Sequence, residues 1–361
     1  MQSYRILAMN FGSTSTKLAV FEDERVLCSS SIRYTRDELA NIKTMADNAA
    51  FRLPQVWAFL EENQVDPQSL DAVVGRGGLT HPIESGTYVV NQDMLDDLLA
   101  CRYGTHACNL GAILAQGVAE PLGLTAYVVD PGVVDELSDL ARLSGHPAVP
   151  RRSVFHALNQ KAMARRYAAE QGKKYQELNL IVAHMGGGIT VGAHQKGRVI
   201  DVNNGTDGEG PYSAERSGGL SVATVLDLAA NGELGNLTEL RRLLSGNGGL
   251  AAYLGTNSGL DVQQRIQAGD DYAELIYHGM AYQIAKEIGA MGAVLAGQVD
   301  QIILTGGLAY DDTLMNWIRE MVSYLAPVTV YPGEDELTAL NEGALRVLRG
   351  EEGPKTYAIC Q

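Results

Sequence analysis

The sequence predicts an α/β fold built twice over, as two hairpin-led domains with a cleft between them. Three observations carry that expectation. The chain has 361 residues, too many for one ordinary core, so two domains are the starting assumption. A strand–turn–strand–turn–strand stretch at the start recurs near the middle, and in each half a helical period runs into an apolar strand. The first domain is expected over residues 1–148, completed by a C-terminal helical segment at 337–361, and the second over 149–336.

The opening stretch, RILAMNFGSTSTKLAVFEDERVLC (residues 5–28), places the alternating Ile6 and Ala8 before a turn and Leu18 and Val20 after it. Between them, Gly12-Ser13-Thr14-Ser15-Thr16 offers backbone N–H groups and four hydroxyls, followed by Lys17. A tight hairpin with that tip suits an anion, phosphate above all, bound by Ser13, Ser15 and Lys17. An ordinary Gly/Ser/Thr hairpin has the same composition, so the rest of the chain decides.

The second copy is NLIVAHMGGGITVGAHQKGRVIDV, residues 179–202. Asn10 aligns with His184 and Gly12 with Gly186. After a one-residue gap in the turn, Val20 aligns with Ala193 and Val26-Leu27 with Val199-Ile200. Gly186, Gly187 and Gly188 form the second tip. They are not a dinucleotide fingerprint, because that motif opens a helix whereas Ile189-Thr190-Val191 continues as strand. No GxxxxGK[ST] occurs, which excludes a P-loop enzyme. Helical period over residues 95–123 leads into TAYVVD, and over 272–297 into QIILTGG. A nucleotide is expected in the cleft, with an anion-holding hairpin on each side.

Composition bounds the function. With 45% hydrophobic and 20% charged residues the chain is globular, and its forty glycines cluster in turns. A net charge of −15 argues against nucleic acid and against an anionic membrane surface, so an anionic substrate needs local arginines. Cys28, Cys101, Cys108 and Cys360 show no metal-finger spacing, and neither a signal peptide nor an apolar run long enough to span a bilayer is visible. A reduced, cytoplasmic enzyme or binding protein is the expected class.

Candidate side chains stand at strand ends and loops. Arg76 follows DAVV and Arg216 lies in AERSGG, and guanidinium forks match carboxylate and phosphate oxygens. His156 follows SVF, and His184 ends NLIVA. Asp130 ends AYVVD before Pro131-Gly132, which points it into a cleft unless it caps the following VVDEL. GEDEL offers Asp335 and Glu336, and LTGGLAY ends a strand in paired glycines. His81, His106, His146, His194 and His278 have no comparable placement.

AMNFGSTSTK resembles the N-terminal signature of the acetate kinase family, within the actin-like, sugar-kinase and chaperone-ATPase superfamily. VVGRGGLTHPIESGTY, RRSVFHALNQKAMARRYA and NNGTDGEGPYSAERSGGL resemble the butyrate kinase branch of that family. The resemblance runs in unbroken order from about residue 4 to about residue 350. It implies two actin-like, ribonuclease H-like domains. The implied reaction is reversible in-line phosphoryl transfer between ATP and a short-chain carboxylate, giving an acyl phosphate and ADP, with Mg²⁺. Butyrate is the first expectation and a branched-chain acid of the isobutyrate type the next. A chaperone-type or filament-forming ATPase would share the fold but would not need Arg76, Arg216 and His156 together, and a sugar kinase would need a carboxylate base and polar hydroxyl-binding groups.

The resemblance also implies roles. Arg76 and Arg216 fall on the acid and the transferring phosphoryl group, and His156 donates to the phosphoryl oxygens. His184 lies near the nucleotide phosphates with the Gly186–Gly188 tip. Asp130 organises Mg²⁺ and the carboxylate, while Asn10 and either Asp335 or Glu336 complete the metal environment. Gly306, Gly307 and Leu308 contact adenosine. Gly77-Gly78 stand where acetate kinases carry bulky aliphatic residues, so they are expected to leave volume for a longer acyl chain unless Phe155 fills it. The assembly implied is a homodimer or a higher homo-oligomer.

Overall fold

A computed structural model describes residues 2–233 and 235–359; Met1, Leu234, Cys360 and Gln361 lie outside the described residues. In chain order the first six strands are β1 (Arg5–Phe11), β2 (Ser15–Glu22), β3 (Arg25–Arg33), β4 (Ala72–Arg76), β5 (Thr87–Val89) and β6 (Thr125–Val129). Then come β7 (Asn179–Met185), β8 (Ile189–Gln195), β9 (Arg198–Val202), β10 (Gln301–Gly306), β11 (Val328–Pro332) and β12 (Lys355–Thr356). They make a seven-stranded sheet, β12-β5-β6-β4-β1-β2-β3, and a five-stranded sheet, β11-β10-β7-β8-β9. Two compact units contain them: residues up to Val134 together with Asp335 onward, and Asp135–Glu334.

Both expected hairpins form. β1 and β2 pair antiparallel from Arg5↔Glu22 to Phe11↔Thr16, and β7 and β8 from Asn179↔Gln195 to Met185↔Ile189. Each is extended by a third antiparallel strand, and each third strand carries one register shift, at Val20/Phe21 and at Ala193/His194. Those are the positions that the internal alignment equates, so the duplication reaches down to a single bulge. β1 and β7 then pair in parallel with β4 and β10, as expected of a strand that must be covered on both faces.

In the first unit Leu7, Met9, Leu18, Val20 and Val73 pack against Val56, Phe59 and Leu60 of helix Met45–Glu62 and Leu114 and Val118 of helix Leu110–Ala119. The second helix lies against β4 almost backbone to backbone: a Cβ on Gly111 would stand 1.8 Å from the Arg76 carbonyl oxygen. In the second unit Ile181, Ala183, Val191, Ile302 and Leu304 meet Tyr277, Met280, Ile284 and Ile288 of helix Asp271–Val294. Among the described residues no helix is long and apolar enough to cross a membrane.

Three local expectations need correction. The helical period over 95–123 is interrupted: helix Gln92–Leu99 ends, Cys101 (φ 51°) and Gly104 (φ 132°) turn the chain left-handed, and a new helix starts at Leu110. SVF does not form a strand, and His156 stands at the head of helix Ala157–Glu170. The C-terminal helix runs from Glu336 to Leu348 only, because Gly350 (φ 72°) follows it and β12 returns to the sheet beside β5.

Candidate active site

On the first unit, three neighbouring strands bring their carboxyl ends together. Met9 pairs with Gly75 and Arg76 with Val129, so Asn10, Arg76 and Asp130 project from the adjacent ends of β1, β4 and β6. Arg76 Nη1 lies 2.8 Å from Glu336 Oε1, and Asn10 Nδ2 donates to Glu336 Oε2. Asn10 is buried, and its Oδ1 has no hydrogen-bond partner among the described residues. The two acids left open by the sequence are thereby divided. Asp335 caps its own helix, accepting from Thr338 N at 3.1 Å and Thr338 Oγ1 at 2.6 Å, while Glu336 faces Asn10 and Arg76. An orphaned amide oxygen beside one carboxylate suits Mg²⁺, which takes few protein ligands and completes its shell with water and phosphate.

Asp130 is 1% exposed, with φ 38°. Its Oδ1 accepts from Gly86 N at 2.7 Å, and its own N–H donates to Gly86 O at 3.1 Å. No helix forms over VVDEL, so capping is not its task. The nearby Cys108 thiol is pushed up to about 11 by burial, against the pull of Arg76.

Arg52, which sequence reading passed over, organises the first hairpin tip. It is fully buried, and its guanidinium donates to the carbonyls of Gly12 (2.9 Å), Ser15 (2.9 Å) and Ser13 (3.1 Å). Gly12 N–H closes the turn on Ser15 O, and Lys17 stands exposed on β2 opposite Asn10.

The volume expected at Gly77-Gly78 is not there. A Cβ on Gly77 would stand 2.6 Å from Pro131 Cβ, and one on Gly78 would stand 2.7 Å from both Asn109 Cα and Leu98 Cδ2. These glycines let β4 and its neighbours close up behind Arg76; they do not open a pocket. Phe155 is buried in the second unit.

On the second unit the glycine tip is ringed by charge. Ideal Cβ atoms on Gly186, Gly187 and Gly188 would come within 2.9 Å of Glu334 Oε1, 3.5 Å of Glu215 Oε2 and 2.0 Å of Arg216 Nη1. Arg216 Nη1 also donates to Gly205 O; burial lowers its pKa from the ordinary value, with Glu215 opposing. His184 Nδ1 is 2.8 Å from Asn159 Oδ1, and its Nε2 lies 3.1 Å from Glu334 Oε1 without hydrogen-bond alignment. The His156 ring stacks on His184 with centroids 3.8 Å apart and planes 14° apart. His156 Nδ1 is 2.9 Å from Thr190 Oγ1.

Gly307 and Leu308 line a cavity of about 280 Å³ with Gly259, Leu260, Tyr277 and Asp311. At its wall Tyr277 Oη and Asp311 Oδ2 are buried without hydrogen-bond partners among the described residues. Gly306 (φ 96°) has its backbone against Met185 O, where a Cβ would stand 2.3 Å away. The structure thus gathers Asn10, Arg76, Asp130 and Glu336 on one unit, and His156, His184, Gly186–Gly188 and Arg216 on the other. Reading by motif missed Arg52, Asn159, Gln160, Thr190 and Glu215, all far in sequence from the groups that they hold or face. One signal was available, Gly192 inside β8, since a strand-interior glycine marks a close approach.

Comparison with known proteins agrees with this architecture. The Acetokinase family model matches residues 146–327. Butyrate kinase 2 of Clostridium acetobutylicum is 51% identical over 354 residues, covering 98% of this chain and 99% of that protein. Among solved structures, Porphyromonas gingivalis acetate kinase superposes with a TM-score of 0.79 at 18% identity, over 95% of this chain and 99% of the other. A propionate kinase from Francisella tularensis gives 0.76 at 20% identity, over 94% and 98%. The duplicated actin-like fold is therefore that of this chain.

Proposed function

Because the chain belongs to the acetokinase family, and so is a kinase that phosphorylates a carboxylate with ATP and Mg²⁺, we propose that its substrate is butyrate and its product butyryl phosphate. The observation that carries this reading is the 51% identity to a butyrate kinase along nearly the whole of both chains.

A carboxylate nucleophile already bears its charge, so the site has to position two anions and stabilise the transition state rather than remove a proton. On the first unit Arg76 exchanges Glu336 for the substrate carboxylate. Asn10 and Glu336 are the residues that would hold Mg²⁺, which when bound neutralises charge on the nucleotide phosphates. Asp130, anchored on Gly86, is the acid that would organise Mg²⁺ and the carboxylate at the same strand ends. The tip with Ser13, Ser15 and Lys17 faces phosphate, its carbonyls turned away toward Arg52.

On the second unit His156 and Arg216 donate to the phosphoryl oxygens, and His184 with the Gly186–Gly188 turn takes the nucleotide phosphates. Gly306, Gly307 and Leu308 receive adenosine, supported by the neighbouring cavity. The proposal includes a homodimer or larger homo-oligomer in the cytoplasm, supported by the exposed apolar residues Val222, Leu226 and Leu237.

Hydroxamate trapping of the acyl phosphate tests the proposal. Butyrate is expected to exceed acetate in kcat/KM by roughly tenfold, since each buried methylene is worth about 0.8 kcal/mol. Arg76→Ala should lower kcat/KM by about 10² or more with the circular dichroism spectrum intact. Acetate or isobutyrate used better than butyrate would overturn the substrate assignment, and unaltered turnover in Arg76→Ala would remove Arg76 from the mechanism.

A further inference from the structure

Behind the stacked histidines runs a line of buried polar side chains that takes no part in the roles above. Alternate residues of β8 share a face, which puts Thr190, Gly192 and His194 in a row. Thr190 and His194 are fully buried. Gln160, on helix Ala157–Glu170, lies across the row. Its Nε2 donates to Thr190 O at 3.0 Å and Thr190 Oγ1 at 2.9 Å, and its Oε1 is 3.0 Å from His194 Nε2. Gly192 makes room for the amide, since a Cβ there would stand 2.6 Å from Gln160 Oε1. At the far end His194 Nδ1 is 2.6 Å from Tyr175 Oη; at the near end Thr190 Oγ1 is 2.9 Å from His156 Nδ1.

The proton positions follow from what each atom can do. The Thr190 carbonyl can only accept, so the Gln160 atom facing it is the amino nitrogen, and the carbonyl oxygen is left facing His194. His194 must therefore donate from Nε2. Burial holds its pKa well below the ordinary histidine value, with Lys161 and Arg165 acting in the same direction, so the ring is neutral and Nδ1 accepts from the Tyr175 hydroxyl. Thr190 Oγ1 accepts from Gln160 Nε2 and, at 3.5 Å, from the His156 backbone N–H. Both its lone pairs are then occupied, and the acceptor for its own hydrogen is His156 Nδ1.

We infer that the Tyr175–His194–Gln160–Thr190 chain holds neutral His156 as the tautomer protonated on Nε2, which makes Thr190 and Gln160 positioning residues for the phosphoryl-transfer step. The stack on His184 sets the plane of the ring, and the Thr190 hydroxyl sets its rotation within that plane. Nε2–H is then a donor toward an anionic oxygen, where the other tautomer would present a lone pair. The inference rests on the role of His156 proposed above.

Long-range ¹H–¹⁵N correlation spectra of the whole protein, labelled with ¹⁵N-histidine, report which imidazole nitrogen carries the proton; the His156 signals are identified by their loss in His156→Asn. At a pH where the ring is neutral, His156 is expected to be protonated on Nε2 alone. Thr190→Val, similar in shape but without the hydroxyl, should release a tautomer mixture and lower kcat by about ten- to a hundredfold, with KM changed by less than about threefold. Thr190→Ser, which keeps the hydroxyl, should recover the single tautomer and most of the rate. A wild-type ring protonated on Nδ1 overturns the inference, as does a Thr190→Val protein that keeps the wild-type tautomer or the wild-type kcat. If Thr190→Val does not fold, the wild-type spectrum decides by itself. Undiminished kcat in His156→Asn would instead overturn the proposed role of His156 and leave the tautomer assignment standing.

Discussion

Replacing Gly188 with alanine places one methyl group where the Arg216 guanidinium lies. The new Cβ would stand 2.0 Å from Nη1 and 2.4 Å from Cζ, with no backbone atom among its close neighbours. Ordinary contact is about 3.5–4.0 Å, so the guanidinium has to retreat by roughly 1.5 Å. What gives way is the end of a flexible side chain, so the loss of stability is expected to stay near or below about 1 kcal/mol. The rate should respond far more, because a misplacement of about 1 Å at a reacting group costs on the order of a hundredfold. That corresponds to roughly 2.7 kcal/mol of transition-state stabilisation. Steady-state acyl phosphate formation gives kcat and KM, calorimetry gives the stability, and Arg216→Ala closes a double-mutant cycle. If the methyl group acts through Arg216, Gly188→Ala should cost almost nothing in the Arg216→Ala background. A kcat within about threefold of wild type, or the same fractional loss in both backgrounds, would refute the reasoning.

Two further substitutions test how the first unit is held. Arg52→Met removes the donor shared by the carbonyls of Gly12, Ser13 and Ser15, and should lower the urea midpoint by the equivalent of about 3 kcal/mol while raising KM for ATP. An unchanged midpoint would mean that the tip holds its shape without Arg52. Gly78→Ala drives a Cβ to 2.7 Å from Asn109 Cα and Leu98 Cδ2, so it should destabilise the unit by about 2 kcal/mol and depress acetate, isobutyrate and butyrate turnover in equal proportion. A loss confined to butyrate would return the glycines to the acyl pocket.

What could be read from the chain was what the chain encodes locally. The two hairpins announce themselves by period-two alternation around a glycine turn, and the internal alignment placed Val20 against Ala193, where the structure shows the two matching bulges. Arg76 and His184 were singled out because each stands at the end of a strand, a position fixed by a few neighbouring residues, whereas Asp335 and Glu336 came from the family resemblance. Meaning that depends on direction was not legible. Asp335 and Glu336 are adjacent acids, and only the pitch of their helix turns one back onto Thr338 and the other toward Asn10. Gly77 and Gly78 read as open space, yet the missing side chains point into Pro131, Asn109 and Leu98. His194 read as a bystander until helix Ala157–Glu170 laid Gln160 beside it, and Arg52 carried no local signal at all, since only its helix brings it under the first hairpin. The sequence by itself determined the repeated strand–turn–strand units and the residue types at their ends, because backbone periodicity and turn preference act over a few residues. The tertiary structure alone decided which polar atoms meet, because Gln160 and His194, or Arg52 and Gly12, come within hydrogen-bond reach only when separately formed elements pack.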